Sequence, residues 1–136
     1  MGLHKTAFEF FDACDSGRGW EICGQFCHDN AGFSAQCGAL SDIKTLEGYV
    51  EWMRGLMIPI RDGRYDLKAF SVDEERGIAT VFAVFRGTHT GEGPVPPTGK
   101  TIEANYVYAM EFDGEKIKHV TKIWNDAHSL VQLGWA

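Results

Sequence analysis

The segment KIKHVTKIWNDA, residues 116 to 127, carries the most suggestive chemistry in the chain. Strict alternation along a strand sets Ile117, His119, Thr121, Ile123 and Asn125 on one side, and Lys118, Val120, Lys122 and Trp124 on the other. In the preceding segment, TIEANYVYAMEF, the residues Ile102, Ala104, Tyr106, Tyr108, Met110 and Phe112 form a single row. The histidine row and the tyrosine row are expected to face inward. A dry core has no use for an imidazole, a hydroxyl and an amide, each of which needs a hydrogen-bond partner. An apolar cavity with a few convergent polar groups is the usual make-up of a ligand site. An imidazole can take or give a proton near neutral pH, which makes His119 the leading acid/base candidate. Tyr106 and Tyr108 offer phenolic donors, with Met110 and Thr121 beside them. The alternatives are a hydrogen-bonded wall histidine and tyrosines that merely pack.

A second histidine, His89, sits in GTHTGEGPVPPTGK, residues 87 to 100. Pro94, Pro96 and Pro97 lack backbone donors and prevent regular pairing there, while the glycines permit bends. The stretch is predicted to be a bent crossing between two strands that borders the pocket. His89 either bonds the neighbouring backbone or touches the ligand. With His119 and Glu92 it makes no recognisable metal motif. Cys14, Cys23, Cys27 and Cys37 lack the paired spacing of a structural zinc site and are expected to be small buried thiols. No phosphate-cradling glycine loop and no serine nucleophile elbow is present. No metal and no cofactor are expected.

These residues need elements to hold them. With 136 residues, 44% apolar and 24% charged, the chain fits one soluble domain with a real core. A net charge of −6 with no basic cluster argues against nucleic acid. No apolar run is long enough to span a membrane, and the opening residues lack a secretory pattern, so a cytoplasmic location is expected. Ala7, Phe8 and Phe11 predict a helix over 4–13. Trp20, Cys23, Phe26 and Cys27 predict a second, and AGFSAQC a brief extended piece. Leu46, Tyr49, Val50, Met53 and Leu56 predict a third helix, capped by Thr45 and stopped by Pro59. Tyr49 and Trp52 on that helix could line the pocket mouth and Trp20 its lid, although each could equally be core. After Pro59 the period falls to two, predicting an antiparallel meander and hence an α+β fold with its helices on one side of the sheet.

FRGTHTGEGPVPPTGK, the hairpin EFDGEKIKHVTKIW and the ending LVQLGW resemble the SnoaL-like polyketide cyclases of the NTF2-like superfamily, over roughly residues 78 to 136. The resemblance implies one domain over 1–136, a cone in which a curved antiparallel sheet wraps around N-terminal helices, and homodimers through the outer sheet face. It also implies intramolecular aldol closure, or related isomerase or lyase chemistry, without a cofactor. Such closure removes a proton beside a carbonyl, stabilises the enolate and protonates the new alkoxide. The expected ligand is a small hydrophobic, polycyclic or ketone-bearing molecule. Relatives often place an aspartate just after the tryptophan-containing strand. Here Asn125 holds that place and Asp126 follows, so Asp126 reaches the pocket only if a bulge turns it inward. Two other readings are a non-catalytic binding or accessory domain and an epoxide hydrolase, which would want an inner-row arginine.

Overall fold

Phe10, Phe11 and Cys14 recur at helical spacing, and in the computed structural model, which describes residues 2–136, they are buried on one side of helix α1 (Gly2–Asp15). The helix runs two residues past its expected end. Asp15, four residues beyond Phe11, is thereby carried onto the same buried side. Helix α2 (Trp20–Cys23) gives way to a 3-10 turn over Gly24–Phe26. The extended piece that follows is a full strand, β1 (Cys27–Ala35). Helix α3 (Leu46–Leu56) begins as expected: the Thr45 hydroxyl accepts a hydrogen bond from the Gly48 amide at 3.0 Å, and the chain leaves the helix before Pro59.

Strands β2 (Arg64–Asp73), β3 (Ile78–Thr88), β4 (Thr101–Asp113) and β5 (Lys116–Trp124) form the antiparallel meander. The sheet order is β1-β5-β4-β3-β2, and β1 lies parallel to β5. The sheet is therefore mixed, a correction to the all-antiparallel expectation. A parallel partner needs a long crossover, and the chain supplies one by running through α3 and three strands before reaching β5. The family-like cone is present as a curved, unclosed sheet packed on the N-terminal helices. Register shifts at Lys68 and Lys118 are bulges, which bend a sheet and strengthen its twist.

A short helix, α4 (Asp126–Leu133), closes the chain and was not anticipated. The Asn125 side chain caps it by accepting from the His128 amide at 3.2 Å, and Gly134 ends it in the left-handed conformation at φ 75°. The β3–β4 crossing folds back over Pro59, whose carbonyl accepts from the amides of Thr90 and Gly91. A Cβ at residue 91 would lie 2.0 Å from the Ile58 carbonyl oxygen, so only glycine allows this approach.

Candidate active site

Four elements bring polar side chains to one point beneath the sheet. Asp15 from α1 is 1% exposed, and its carboxylate accepts hydrogen bonds from Tyr106 at Oδ2 and from Tyr108 at Oδ1, the latter at 2.6 Å. Tyr108 has a single hydroxyl hydrogen, already given to Asp15. Tyr49 from α3, 2.5 Å away, must therefore donate to Tyr108. Tyr49 in turn accepts from Nζ of Lys122 at 2.9 Å. The result is one continuous chain, Lys122 to Tyr49 to Tyr108 to Asp15, with every link donating in the same direction.

Lys122 is 6% exposed and comes from the middle of β5. Among the described residues Tyr49 is its only hydrogen-bond partner. The rest of the ammonium faces the rings of Tyr49, Trp52, Tyr106, Tyr108 and Trp124, with centroids 4.5 to 5.9 Å from Nζ. Such faces attract a cation but replace water incompletely. Burial accordingly lowers the Lys122 pKa to about 8, against the pull of Asp15. Burial also raises Asp15 above the ordinary carboxylate range, with the two phenol hydrogen bonds opposing. The phenols of Tyr49, Tyr106 and Tyr108 are pushed up, first by burial and then by Asp15, so they keep their protons. Both ends of the chain are biased toward the neutral pair.

Next to this centre lies a chamber of about 20 Å³, room for one water-sized group. Its polar walls are Asp15, Tyr106 and Lys122; its apolar walls are Trp52, Met53, Leu56, Phe85, Ile102, Ala104 and Trp124. The remainder of the cone is filled by core side chains, including Phe10, Phe11, Met110 and Ile117. Trp52 and Leu56 also line an open groove of about 400 Å³ bounded by Ile58, Pro59, Gly93, Pro94 and Trp135. Gly93 and Pro94 of the 87–100 crossing form one wall of this groove.

The expected face of β5 is corrected. Tyr106, Tyr108 and Met110 stand directly opposite Trp124, Lys122 and Val120, so the inner row is Val120, Lys122 and Trp124. His119, Thr121 and Ile123 share the outer face with Glu111, Ala109 and Val107. The cause is the bulge at Lys118: Ile117 stays buried, the next residue is skipped, and the alternation resumes in the opposite phase. His119 Nε2 pairs with the Ser34 hydroxyl at 2.8 Å, and Ile123 is 64% exposed. Asn125 is the α4 cap. Asp126 does not turn inward: one carboxylate oxygen accepts from the Ala39 amide at 2.8 Å, the other from the Ala127 amide.

The other expected residues divide. Tyr106, Tyr108, Tyr49 and Trp52 converge on the centre; Met110 is buried in the same row of β4 without reaching the chamber. Trp20 lies on α2, its amide bonded to Glu51. His89 is wholly buried in the crossing, where Nδ1 accepts from the Trp135 indole at 2.9 Å and from the Thr98 amide at 3.3 Å. It pins the chain end to the crossing. Cys14, Cys23 and Cys27 are buried, and Cys37 is half-buried. Asp15 escaped the sequence pattern because DSGRG reads as a break; its one signal is the four-residue spacing from Phe11. Lys122 escaped because a lysine between Val120 and Trp124 looks like a solvent residue.

The family model for SnoaL-like polyketide cyclases matches residues 5–133. No curated protein sequence matches the chain. Among solved structures, the polyketide cyclase candidate IdmH from Streptomyces antibioticus superposes with a TM-score of 0.80 at 20% identity, covering 98% of this chain and 99% of that one. The hydroxylase candidate AclR from Streptomyces galilaeus gives 0.78 at 18% identity, over 98% and 82%. A SnoaL-like cyclase candidate from Jannaschia sp. CCS1 gives 0.77 at 14% identity, over 99% and 93%. At these identities the likeness is one of fold. No helix among the described residues is long and apolar enough to cross a membrane.

Proposed function

The chain belongs to the SnoaL-like polyketide cyclase family, and from that premise we propose that it performs cofactor-free acid/base chemistry on a small carbonyl compound at the Asp15–Lys122 centre. The reaction is intramolecular aldol closure or a related isomerisation or elimination. One observation carries this reading: a buried carboxyl and a buried amine, joined through two phenols, both line a chamber sized for a carbonyl group. Burial tunes each toward the neutral form, which is how a site keeps an acid and a base usable at the same pH. In the proposed reaction the free Lys122 amine removes the proton beside the carbonyl, and the Asp15 carboxyl stabilises the enolate oxygen and gives its proton to the new alkoxide. The acid/base role expected for His119 passes to the residue pair that lines the chamber. In this reading Tyr106 and Trp52 line the chamber, while Tyr108 and Tyr49 link its acid to its amine.

The experiment uses acyclic 1,5-diketones in deuterated water, with NMR following α-deuterium incorporation and ring closure. Asp15→Asn should slow both by about 10²–10⁴-fold, the usual contribution of a positioned acid or base. An unchanged rate would remove Asp15 from the chemistry. Binding of the diketone with neither exchange nor closure in the wild type would make this a non-catalytic binding domain. We also propose a homodimer through the outer sheet face, where exposed Phe82 and Ile123 both stand opposite Val107 and form one apolar band across three strands. Sedimentation of the wild type beside Ile123→Glu tests it.

A further inference from the structure

Resting on the proposal of a carbonyl site, we infer that Lys122 is a nucleophilic amine that condenses with a terminal ketone or aldehyde to form an iminium ion, activating the neighbouring carbon as an enamine. Three features carry this. Nζ has one hydrogen-bond partner among the described residues, and it lines the chamber instead of being enclosed by carboxylates. The chamber admits only one small group, which selects a carbonyl at the end of a molecule whose apolar body lies in the groove beyond Trp52 and Leu56. The phenol file gives the amine a route to lose its proton to Asp15 without exposure to bulk water. A desolvated lysine among apolar groups is the ordinary means of activating an amine for imine formation.

The steps balance. The ammonium first passes one proton through Tyr49 and Tyr108 to Asp15. The freed Nζ lone pair attacks the carbonyl carbon, the carbonyl π pair moves to oxygen, and a nitrogen proton moves within the adduct to that oxygen, which becomes a hydroxyl. The proton held by Asp15 then accompanies the departing hydroxyl as water, leaving a C=N⁺ iminium and an ionised Asp15. Asp15 takes the α-proton, the enamine electron pair forms the new carbon–carbon bond to a second carbonyl in the same molecule, and the resulting alkoxide takes that proton back from Asp15. Water adds back and frees the amine. One water leaves and one returns, and nothing is oxidised or reduced.

The test incubates the folded protein with acetylacetone, which gives a stable enaminone with a free amine, and maps the adduct by peptide mass spectrometry. Lys5, Lys44, Lys68, Lys100, Lys116 and Lys118 are all exposed and serve as internal controls. At neutral pH an amine titrating near 8 holds on the order of a hundredfold more free base than an ordinary lysine. The adduct should therefore form on Lys122 at least tenfold faster than on any control, accelerate as pH rises through about 8, and vanish in Lys122→Met. Butanone with cyanoborohydride should alkylate the same residue. Labelling confined to the controls, or equal in Lys122→Met, overturns the inference. Acetylacetone that quenches tryptophan fluorescence without an adduct sinks the imine and leaves the acid/base proposal standing. Neither quenching nor adduct defeats both.

Discussion

Two faces of one strand, three residues apart, carry opposite kinds of ionisable side chain. Outside, His119 meets water and the Ser34 hydroxyl; inside, Lys122 meets five aromatic faces and a phenol. The histidine is the residue type that chemistry usually employs near neutral pH, and the lysine is the type usually left in solvent. Their surroundings reverse the expectation. An imidazole with access to water needs nothing from the fold, whereas an amine stripped of water is altered by it. Residue type nominates a catalytic group, but only what surrounds it activates it.

The largest effect should come from exchanging the two. Lys122→Met should reduce diketone exchange and closure by about 10²–10⁴-fold, while His119→Ala should leave both within about twofold. The reverse ranking, measured by the same NMR assay, would restore the outer face as the site. Lys122→Met should also fold, because Asp15, whose burial already favours the protonated form, can neutralise itself and keeps its hydrogen bonds to Tyr106 and Tyr108.

A smaller contrast lies in stability against pH. The unfolded chain holds the Lys122 proton up to about 10.5, while the folded chain releases it near 8. Between those values the unfolded state binds more protons, so wild-type stability rises with pH relative to Lys122→Met, by at most about 3 kcal/mol. Thermal melting of both proteins at pH 7.5 and 10 checks this; a constant difference would mean that Lys122 is solvated.

The smallest effect is reserved for the outer face. A Cβ at position 32 would lie 2.7 Å from His119 Nδ1, so Gly32→Ala should swing the ring and release Ser34, costing about 0.5–1.5 kcal/mol. Diketone turnover should not change. A loss of turnover would show that the histidine face communicates with the chamber.

The tyrosine row of β4 and the third helix, down to its Thr45 cap, were legible because long periodic runs leave little choice of phase. The last strand was not. Ile117 and Ile123 compete with Val120 and Trp124 for the core, and strict alternation can bury only one pair; the bulge at Lys118 buries Ile117 and Val120 together. Nothing local in KIKHV announces a bulge, since it is set by register against β4. Asp15 was hidden for a related reason: helix ends are fixed by tertiary contacts, and two extra residues decide whether that carboxyl is buried. The α4 cap was readable in principle, with Asn125 ahead of an apolar run and Gly134 behind it. Asp126, the acid in WND, lies in the first turn of that helix.

The direction of the phenol chain limits how protons can move along it. Because each hydroxyl points toward the carboxyl, passage of one proton from amine to Asp15 reverses every O–H in the file. A second proton cannot follow until the first has gone back or the hydroxyls have rotated against their packing. In the proposed chemistry the file would serve as a shuttle and not as a conduit, suited to a reaction that borrows one proton and returns it, and closed to net proton flow.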